Sequence, residues 1–586
     1  MMKDELIEAI ELLERLRDLG TLWFDEAQPD ALMNMSLYVM KRHLTGQMVT
    51  PTSLAQAAGV PYTTATRRVA KMMEAGLLDT RARTKTGRTV SLHPSPKLIL
   101  QMVSYLMAFR TAVGQTTIPK GISDTRTPSL DEPTFIPPPS LARGSQGFKT
   151  GLSVLAPDDP AYSISKRLRR ELSYLMGGSV HFAGASIDGL RARILANAQK
   201  AVSDYDVVAV DLPLIAEFAA RGVLMPLDTV AASAPLNSAD FISAAWRGTI
   251  SNAKQYAIPI LINPQLLFYR TDLFDKHGLR APADTAELLR AARALHDPVS
   301  GVCGITWTAA RGGPCGQSFI QFLADHGQPV YHLERAIDGY KTSHLDPRAL
   351  KPAIDTPRGH ATARFMLELL KVSPPGVLDL NWGGQVDLLR EGRAAMAYEW
   401  ASRAAQLVSA RSMRDIEFLP HPVGVFQDDD RQRNHIAPIG GFAFGIPANI
   451  DPARVQTAWS AIEWLSSPEV IKLLVQHGGY VTPRHSVGSD PDVRAISPMI
   501  GAVERMARDG QIRLWPRPPV PSYAAMVEIL GEEIHDMLAG VRSVAEALAR
   551  AQDRADAIHR TEQRDGAVHP GTPPGALDGL SQDATP

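Results

Sequence analysis

The sequence predicts a multidomain chain: a small, mostly helical domain carrying a β-hairpin, followed by a much larger α/β domain. Three observations predict this. From Gly151 onward, short β-branched runs alternate with amphipathic stretches, the pattern of βα units and a largely parallel sheet. Before residue 110, two helical patterns meet at a tight Val60-Pro61 turn and two strand-like runs follow. Between these regions, residues 111–150 mix prolines with Ser, Thr, Gly and Asp and carry too little apolar content to fold alone. The expected divisions are therefore 1–110, a linker at 111–150, a large unit at 151–560, and a Gly-, Pro- and Asp-rich tail at 561–586.

Composition narrows the function classes. The chain has 586 residues, room for about four compact units. Hydrophobic content of 45% and charged content of 21% are those of an ordinary globular protein. A formal net charge of -1 gives no bulk attraction to polyanions, so any nucleic-acid site must be a local patch. Two cysteines, Cys303 and Cys315, supply neither a disulfide framework nor metal-ligand spacing, and read as small buried residues. Charged residues recur through the first twenty positions, unlike a secretory signal. No later stretch reaches the roughly 18 apolar residues of a spanning helix. The expectation is a cytoplasmic protein with no membrane partner.

In chain order, Leu6, Ile7, Ile10, Leu13 and Leu16 form a helical stripe that suits either a partner subunit, hence a homodimer, or intramolecular packing. Met35 to His43 is helical. A short helix then starts at Thr52 and closes at Gly59, and a longer one runs from about Thr63 to Ala75. On that longer helix Thr64, Arg67, Arg68 and Lys71 share one cationic face, while Ala65, Val69, Met72 and Met73 line the opposite face. The following hairpin carries Arg81, Arg83, Lys85 and Arg88, and a helix from Leu98 to Phe109 completes the domain. Helix, turn, basic helix and basic hairpin together resemble a winged helix-turn-helix domain of the multiple-antibiotic-resistance-regulator (MarR) type. The resemblance implies double-stranded DNA as partner, with Arg67 or Arg68 reading base edges and Lys71 and the hairpin cations meeting phosphates. The plainer alternative is a solvated basic helix.

The large unit opens with the strand run LSVLAP after Gly151, followed by Asp158 and Asp159. A helix from Ile164 to Met176, the strand run VHFAGA and a helix from Asp188 to Gln199 come next. Val207 to Val210 is a buried strand ending on Asp211, and Leu214, Ile215, Phe218 and Ala219 form the apolar face of the helix after it. Tyr256 to Ile262 is another strand, with prolines placed where a chain leaves a sheet. Ala283 to Leu295 is a helix, and GVCGITWTAARGGPCGQ reads as a strand feeding a loop. Gly312-Gly313 is too sparse for a phosphate cradle. The last 35 or so residues before the tail are helical.

The words DVVAVD, FAARGVLMPLD, IPILINPQLLFYRTDLF, GRAAMAYEW and GGFAFGI, in this order, resemble the extracellular solute-binding proteins of bacterial ABC importers, in particular the sugar and polyol family. The resemblance covers about Gly151 to His559. It implies a two-lobed α/β domain of the periplasmic-binding-protein-like type II class, closing on a small-molecule ligand, a carbohydrate or polyol. Carried over position by position, it places Asp158 and Asp159 after the first strand and Asp211 at the end of the third. It also places Asn263 in the first crossing between lobes, Arg311 in a loop facing the cleft, Trp400 as a stacking aromatic, and Gly440 and Gly441 at a bend that admits backbone amides. Trp382 and Arg484 complete the implied ligand set. Each residue has a structural alternative: a helix cap for the acids, core packing for the tryptophans, turns for the glycines. Leu212-Pro213-Leu214 is more apolar than a sugar cleft calls for, and Arg311, Arg484 and Arg517 would equally suit an acidic sugar.

The expected function is a cytoplasmic, ligand-responsive transcription regulator, with the solute-binding component of a carbohydrate importer as the alternative. No cofactor, metal or enzyme activity is expected, since His332, His421 and His435 are scattered and no catalytic motif appears.

Overall fold

The computed structural model describes residues 31–105 apart from 46, 83–89 and 103–104, and residues 151–568 apart from 159–161, 163–167, 177, 232–235, 337–338, 344, 347–349, 404–414, 427–434 and 479–480. The Leu6–Leu16 stripe, the linker at 111–150 and residues 569–586 of the expected tail lie outside the described residues, whereas 561–568, expected to begin that tail, continue a helix. The chain divides into two compact units, Met1–Leu152 with Ile164–Phe182, and Ser153–Ser163 with Ala183–Pro586.

In the first unit, α1 spans Ala31–Leu44, α2 Pro51–Gln56 and α3 Tyr62–Glu74. Thr50 caps α2 reciprocally: its hydroxyl accepts from Ser53 N, and the Ser53 hydroxyl accepts from Thr50 N. The strands β1 (Leu78–Ala82) and β2 (Val90–Pro94) pair antiparallel, from Leu78 opposite Pro94 to Ala82 opposite Val90. Met35, Val39, Leu54, Ala65, Val69, Met72 and Leu92 are buried together. Met73, expected on the inner face of α3, is instead 40% exposed. Val69 and Met72, three residues apart, fill the core side, and Met73 lies a further ~100° round the helix. Arg67, Arg68 and Lys71 are exposed and Thr64 is half-buried. Arg81 falls within β1, whereas Arg83, Lys85 and Arg88 lie outside the described residues.

The remaining elements run in order: β3 (Leu152–Pro157), α4 (Arg169–Met176), β4 (Val180–Ala185), α5 (Ile187–Ala198), β5 (Val207–Asp211), α6 (Ile215–Ala220), α7 (Ser243–Gly248), β6 (Ala257–Ile262), β7 (Gln265–Arg270) and α8 (Thr285–Leu295). Then come α9 (Gly313–Asp325), α10 (Pro357–Leu370), α11 (Gly384–Arg390), β8 (Met396–Trp400), β9 (Ile416–Leu419), β10 (Ala437–Pro438) and β11 (Gly441–Gly445). The chain finishes with α12 (Val455–Leu465), α13 (Pro468–Gly478), α14 (Pro498–Arg508), β12 (Ile512–Arg513), α15 (Tyr523–Leu538) and α16 (Val544–Val568).

Two sheets organise two lobes. The first has the order β4–β3–β5–β11–β6, with β5 parallel to β3 and β11 antiparallel to both β5 and β6. The second, β8–β7–β9, is antiparallel throughout. The expected largely parallel sheet is the first one, where β3, β5 and β6 share a direction and β11 opposes them; the second sheet departs from it. β11 arrives from more than two hundred residues downstream of β5, and local alternation of strand and helix does not disclose such a return. Pro259 sits inside β6 rather than at its end. It is tolerated because β6 is the edge strand and the register against β11 shifts there, from Leu261 opposite Phe442 to Pro259 opposite Ala443.

Two further readings need correction. Residues 302–306 are not a continuous strand but make isolated bridges, Cys303 to Ala394 and Thr306 to Ala397. The segment read as a loop after them is the start of α9, a helix buried on every side from Pro314 to Asp325. It packs so closely on α15 that a Cβ at Gly316 would stand 2.1 Å from the Val527 carbonyl oxygen. Both cysteines are buried, and burial pushes the Cys303 thiol up to about 11. Gly316→Ala should lower the stability of the large unit by about 3 kcal/mol through overpacking, read as a shift in its urea midpoint; an unchanged midpoint would show that α9 and α15 are free to separate.

Candidate functional site

The two lobes meet where the chain crosses between sheets: at Asn263–Pro264 between β6 and β7, at Ile439–Gly440 between β10 and β11, and after β12. Arg517, only 4% exposed, sits at this junction. Its Nη2 donates to Asp211 Oδ2 at 2.7 Å, its Nη1 to the Ile439 carbonyl at 3.1 Å, and its Nε to Gln317 Oε1 at 3.2 Å and Tyr523 Oη at 3.3 Å. The Tyr523 hydroxyl in turn donates to Gln317 Oε1 at 2.9 Å. The guanidinium carbon lies 5.2 Å from the centre of the Trp400 ring and 5.9 Å from that of Tyr523. Asp211 ends a strand of the first sheet, Trp400 ends a strand of the second, and Gln317 and Tyr523 come from α9 and α15. Burial disfavours the charge on Arg517, but the Asp211 carboxylate and the Tyr523 hydroxyl outweigh it and hold the guanidinium cationic. Burial also pushes the Tyr523 hydroxyl up, against the opposing pull of Arg517.

This arrangement leaves usable groups. The Asp211 side chain is 27% exposed, and among the described residues only its Oδ2 is engaged, so Oδ1 can accept a hydrogen bond. Trp400 is wedged over a glycine: a Cβ at Gly440 would lie 2.6 Å from its Cζ3. Asn263 Oδ1 accepts from Ser402 N at 2.8 Å, which fixes the turn that follows Trp400, while its Nδ2 is unengaged among the described residues.

The other expected ligand residues fall differently. The Gly440 amide is not open to a ligand, because Gly440 and Asn263 bond each other in both directions, at 3.0 and 2.8 Å. Gly441, with φ +135°, leaves room for the β6 backbone, since a Cβ there would be 2.2 Å from the Leu261 carbonyl oxygen. Arg484 is committed elsewhere: it donates to Asp240 at 2.8 Å and to the Ser466 carbonyl at 2.6 Å, and stacks 4.0 Å from the Phe241 ring centre. Arg311 is exposed and paired with Asp536 on α15. Asp158 is exposed at the end of β3, its carboxylate lying against Gly184, and Asp159 is outside the described residues. Trp382 Nε1 donates to Asp188 Oδ1 at 3.1 Å, a hydrogen bond from the second lobe to α5 of the first.

Sequence reasoning weighed Arg517 only as a partner for acidic ligands and passed over Gln317, Tyr523 and Asp188. The signal that pointed to the first and third was thin: an arginine and a tyrosine six residues apart in the run RPPVPSY. Among the described residues, no group of three His, Cys, Asp or Glu side chains is placed to hold a metal, and no helix is long and apolar enough to cross a membrane.

Comparison with known proteins follows this geometry. A family model described as bacterial extracellular solute-binding protein matches residues 180–472, half of the chain. A mannitol-binding protein of Pseudomonas aeruginosa is 24% identical over 385 residues, covering 62% of this chain and 82% of its own. A maltotriose-binding protein of Pyrococcus abyssi is 24% identical over 290 residues, covering 48% of this chain and 55% of its own. Among solved structures, an ABC transporter solute binding protein from Agrobacterium radiobacter K84 in complex with ribitol aligns at TM-score 0.62 and 24% identity, over 70% of this chain and 98% of that one. Another, from Agrobacterium vitis S4 with bound D-mannitol, aligns at TM-score 0.60 and 19% identity, over 70% and 99%. These likenesses show the two-lobed fold.

The commitment of Arg484 carries a pH consequence. Burial pushes Asp240 up, but hydrogen bonds from Arg484 and Ser486 outweigh it and hold the carboxyl below its ordinary value. A depressed folded-state value contributes stability that is present above the ordinary carboxylate range and lost as pH falls through the lower folded value. Arg484→Met should therefore lower the urea midpoint most above the ordinary carboxylate range and flatten the acid limb, because the loss on protonating Asp240 is then already taken, measured as urea midpoints from pH 2 to 7. An acid limb identical to the parent's would mean the pair is not formed.

Proposed function

The chain belongs to the bacterial extracellular solute-binding protein family, and from that premise we propose that its large unit captures a sugar or polyol between the two lobes. The observation that carries this reading is the Asp211–Arg517 pair set against the Trp400 ring. A polyol presents hydroxyls that both donate and accept along one edge and C–H groups on a face. The open Asp211 Oδ1 and the Asn263 Nδ2 supply an acceptor and a donor, and Trp400 supplies the flat apolar wall. The ribitol and D-mannitol complexes of similar fold, and the mannitol-binding relative, support that ligand class. Arg517 acts as a fixed, already neutralised scaffold rather than a receptor for an anion, which favours a neutral ligand over an acidic sugar. On this reading the protein is a solute-binding component of the importer type.

A second reading concerns the first unit. Its three helices and antiparallel hairpin, with Arg67, Arg68 and Lys71 exposed while Ala65, Val69 and Met72 are buried, support a winged helix that binds duplex DNA. A chain with both properties would be a cytoplasmic regulator, acting as a dimer on operator DNA and reporting the solute through linkage of the two binding events.

Both readings are open to direct test. Mannitol or ribitol at a hundredfold excess over its Kd should stabilise the large unit by about 2.7 kcal/mol, seen as a raised melting temperature. Asp211→Asn and Trp400→Leu should each abolish that rise, and Arg311→Ala, at an exposed position, should retain it. A rise that survives both cleft variants would place the ligand elsewhere. For the first unit, gel shift with the DNA upstream of the chain's own gene should give a complex weakened by added salt and eliminated by Arg67→Ala with Arg68→Ala. A complex indifferent to that double substitution would remove α3 as the recognition helix.

A further inference from the structure

A cavity of about 580 Å³ lies in the large unit and shares no lining residue with the junction around Arg517. It is built from three separate places. Arg247 comes from α7 beside the first sheet, Arg513 from β12, and Arg335 and Lys341 from a short hairpin in which Arg335 pairs with Tyr340. Among the described residues Glu334 is the single acid on its wall, and it is paired with Lys341. Among those residues the lining holds four cations and one carboxylate.

Trp515 forms the apolar wall, buried at 6% exposure and tilted against Tyr340 with ring centres 5.0 Å apart. Its Nε1 is a buried donor with no hydrogen-bond partner among the described residues. Gly339 packs directly against that donor, and a Cβ there would come within 2.7 Å of it. A buried N–H without a partner is costly, by about 1–3 kcal/mol.

We propose that this cavity is a binding site for a small polyvalent anion, a phosphate ester or a polycarboxylate. Guanidinium forks match the paired oxygens of either group, and three of them converging from different elements favour a ligand with more than one anionic end. The arrangement is unsuited to a neutral polyol, which offers no charge to the exposed Arg247 and Arg335. The site is therefore separate in chemistry, as in lining, from the proposed sugar cleft.

The test is isothermal titration of the full chain with inorganic pyrophosphate, and in a parallel arm with citrate, to tell the phosphate from the carboxylate source. One-to-one binding is expected in at least one arm. Arg247→Gln with Arg335→Gln should weaken it at least tenfold; both side chains are exposed, so the variant should keep the parent melting temperature. Arg290→Gln, at an exposed position on α8, and Asp211→Asn should leave it unchanged. Absence of heat in both arms overturns the proposal, as does affinity indifferent to the double substitution. Anion binding lost on Asp211→Asn instead would move the anion to the other cleft. Anion binding with no response to any sugar would leave this site standing while the sugar reading fails.

Discussion

A buried guanidinium is the constraint on which the large unit is arranged. Removing the Arg517 charge from water is costly by several kcal/mol unless every direction of the fork finds a partner. Here the partners come from four places that are distant in sequence: the end of β5, the crossing before β11, α9 and α15. Satisfying one side chain therefore fixes the ends of elements from both lobes relative to one another. The Asp211 carboxylate is held by the arginine on one oxygen only, which turns a structural ion pair into an oriented acceptor. Trp400 is fixed by the same arginine above it and by the absence of a side chain at Gly440.

A polar link between the lobes away from this junction is of a different kind. Trp382 and Asp188 are joined by one neutral-to-charged hydrogen bond at an exposed position. Such a bond is worth about 1.5–3 kcal/mol at most when shielded and less when wet. It can bias the lobes towards contact without locking them. The junction at Arg517 is thus the fixed point and the Trp382–Asp188 contact the adjustable one. A ligand that adds a few hydrogen bonds between the lobes would then decide the balance through its differential affinity.

What the sequence disclosed and what it hid follow from the range of the forces involved. β5 was legible because VVAV is short, β-branched and buried on both faces, and α3 because its cations and apolar residues segregate at helical spacing. Helix α9 was hidden for the opposite reason. Buried on all sides, it has no polar face to set a period, and Gly312, Gly313 and Pro314 look like a turn. Of the residues expected to meet a ligand, Asp211, Trp400 and Asn263 lie near the crossing, while Arg484 and Arg517, alike as letters and equally buried, have opposite fates. One is spent on Asp240 and Phe241, the other organises the junction, and only the fold selects the partner.

The same bookkeeping makes the Arg247–Arg513 cavity stand out. Elsewhere the large unit answers its buried charges with care. Glu217 is met by Arg191 and Arg221, Asp206 by Arg454, and Glu533 by Arg542, Arg550 and Arg554. In each case a nearly buried carboxylate is matched or over-matched by cations. Around Trp515 the pattern differs: exposed or half-buried cations from three elements line a space walled by a buried aromatic, and the one acid among the described lining residues is paired with Lys341. An anion held there would engage elements of both lobes at once. The charge pattern is therefore explained by a ligand more economically than by the requirements of folding.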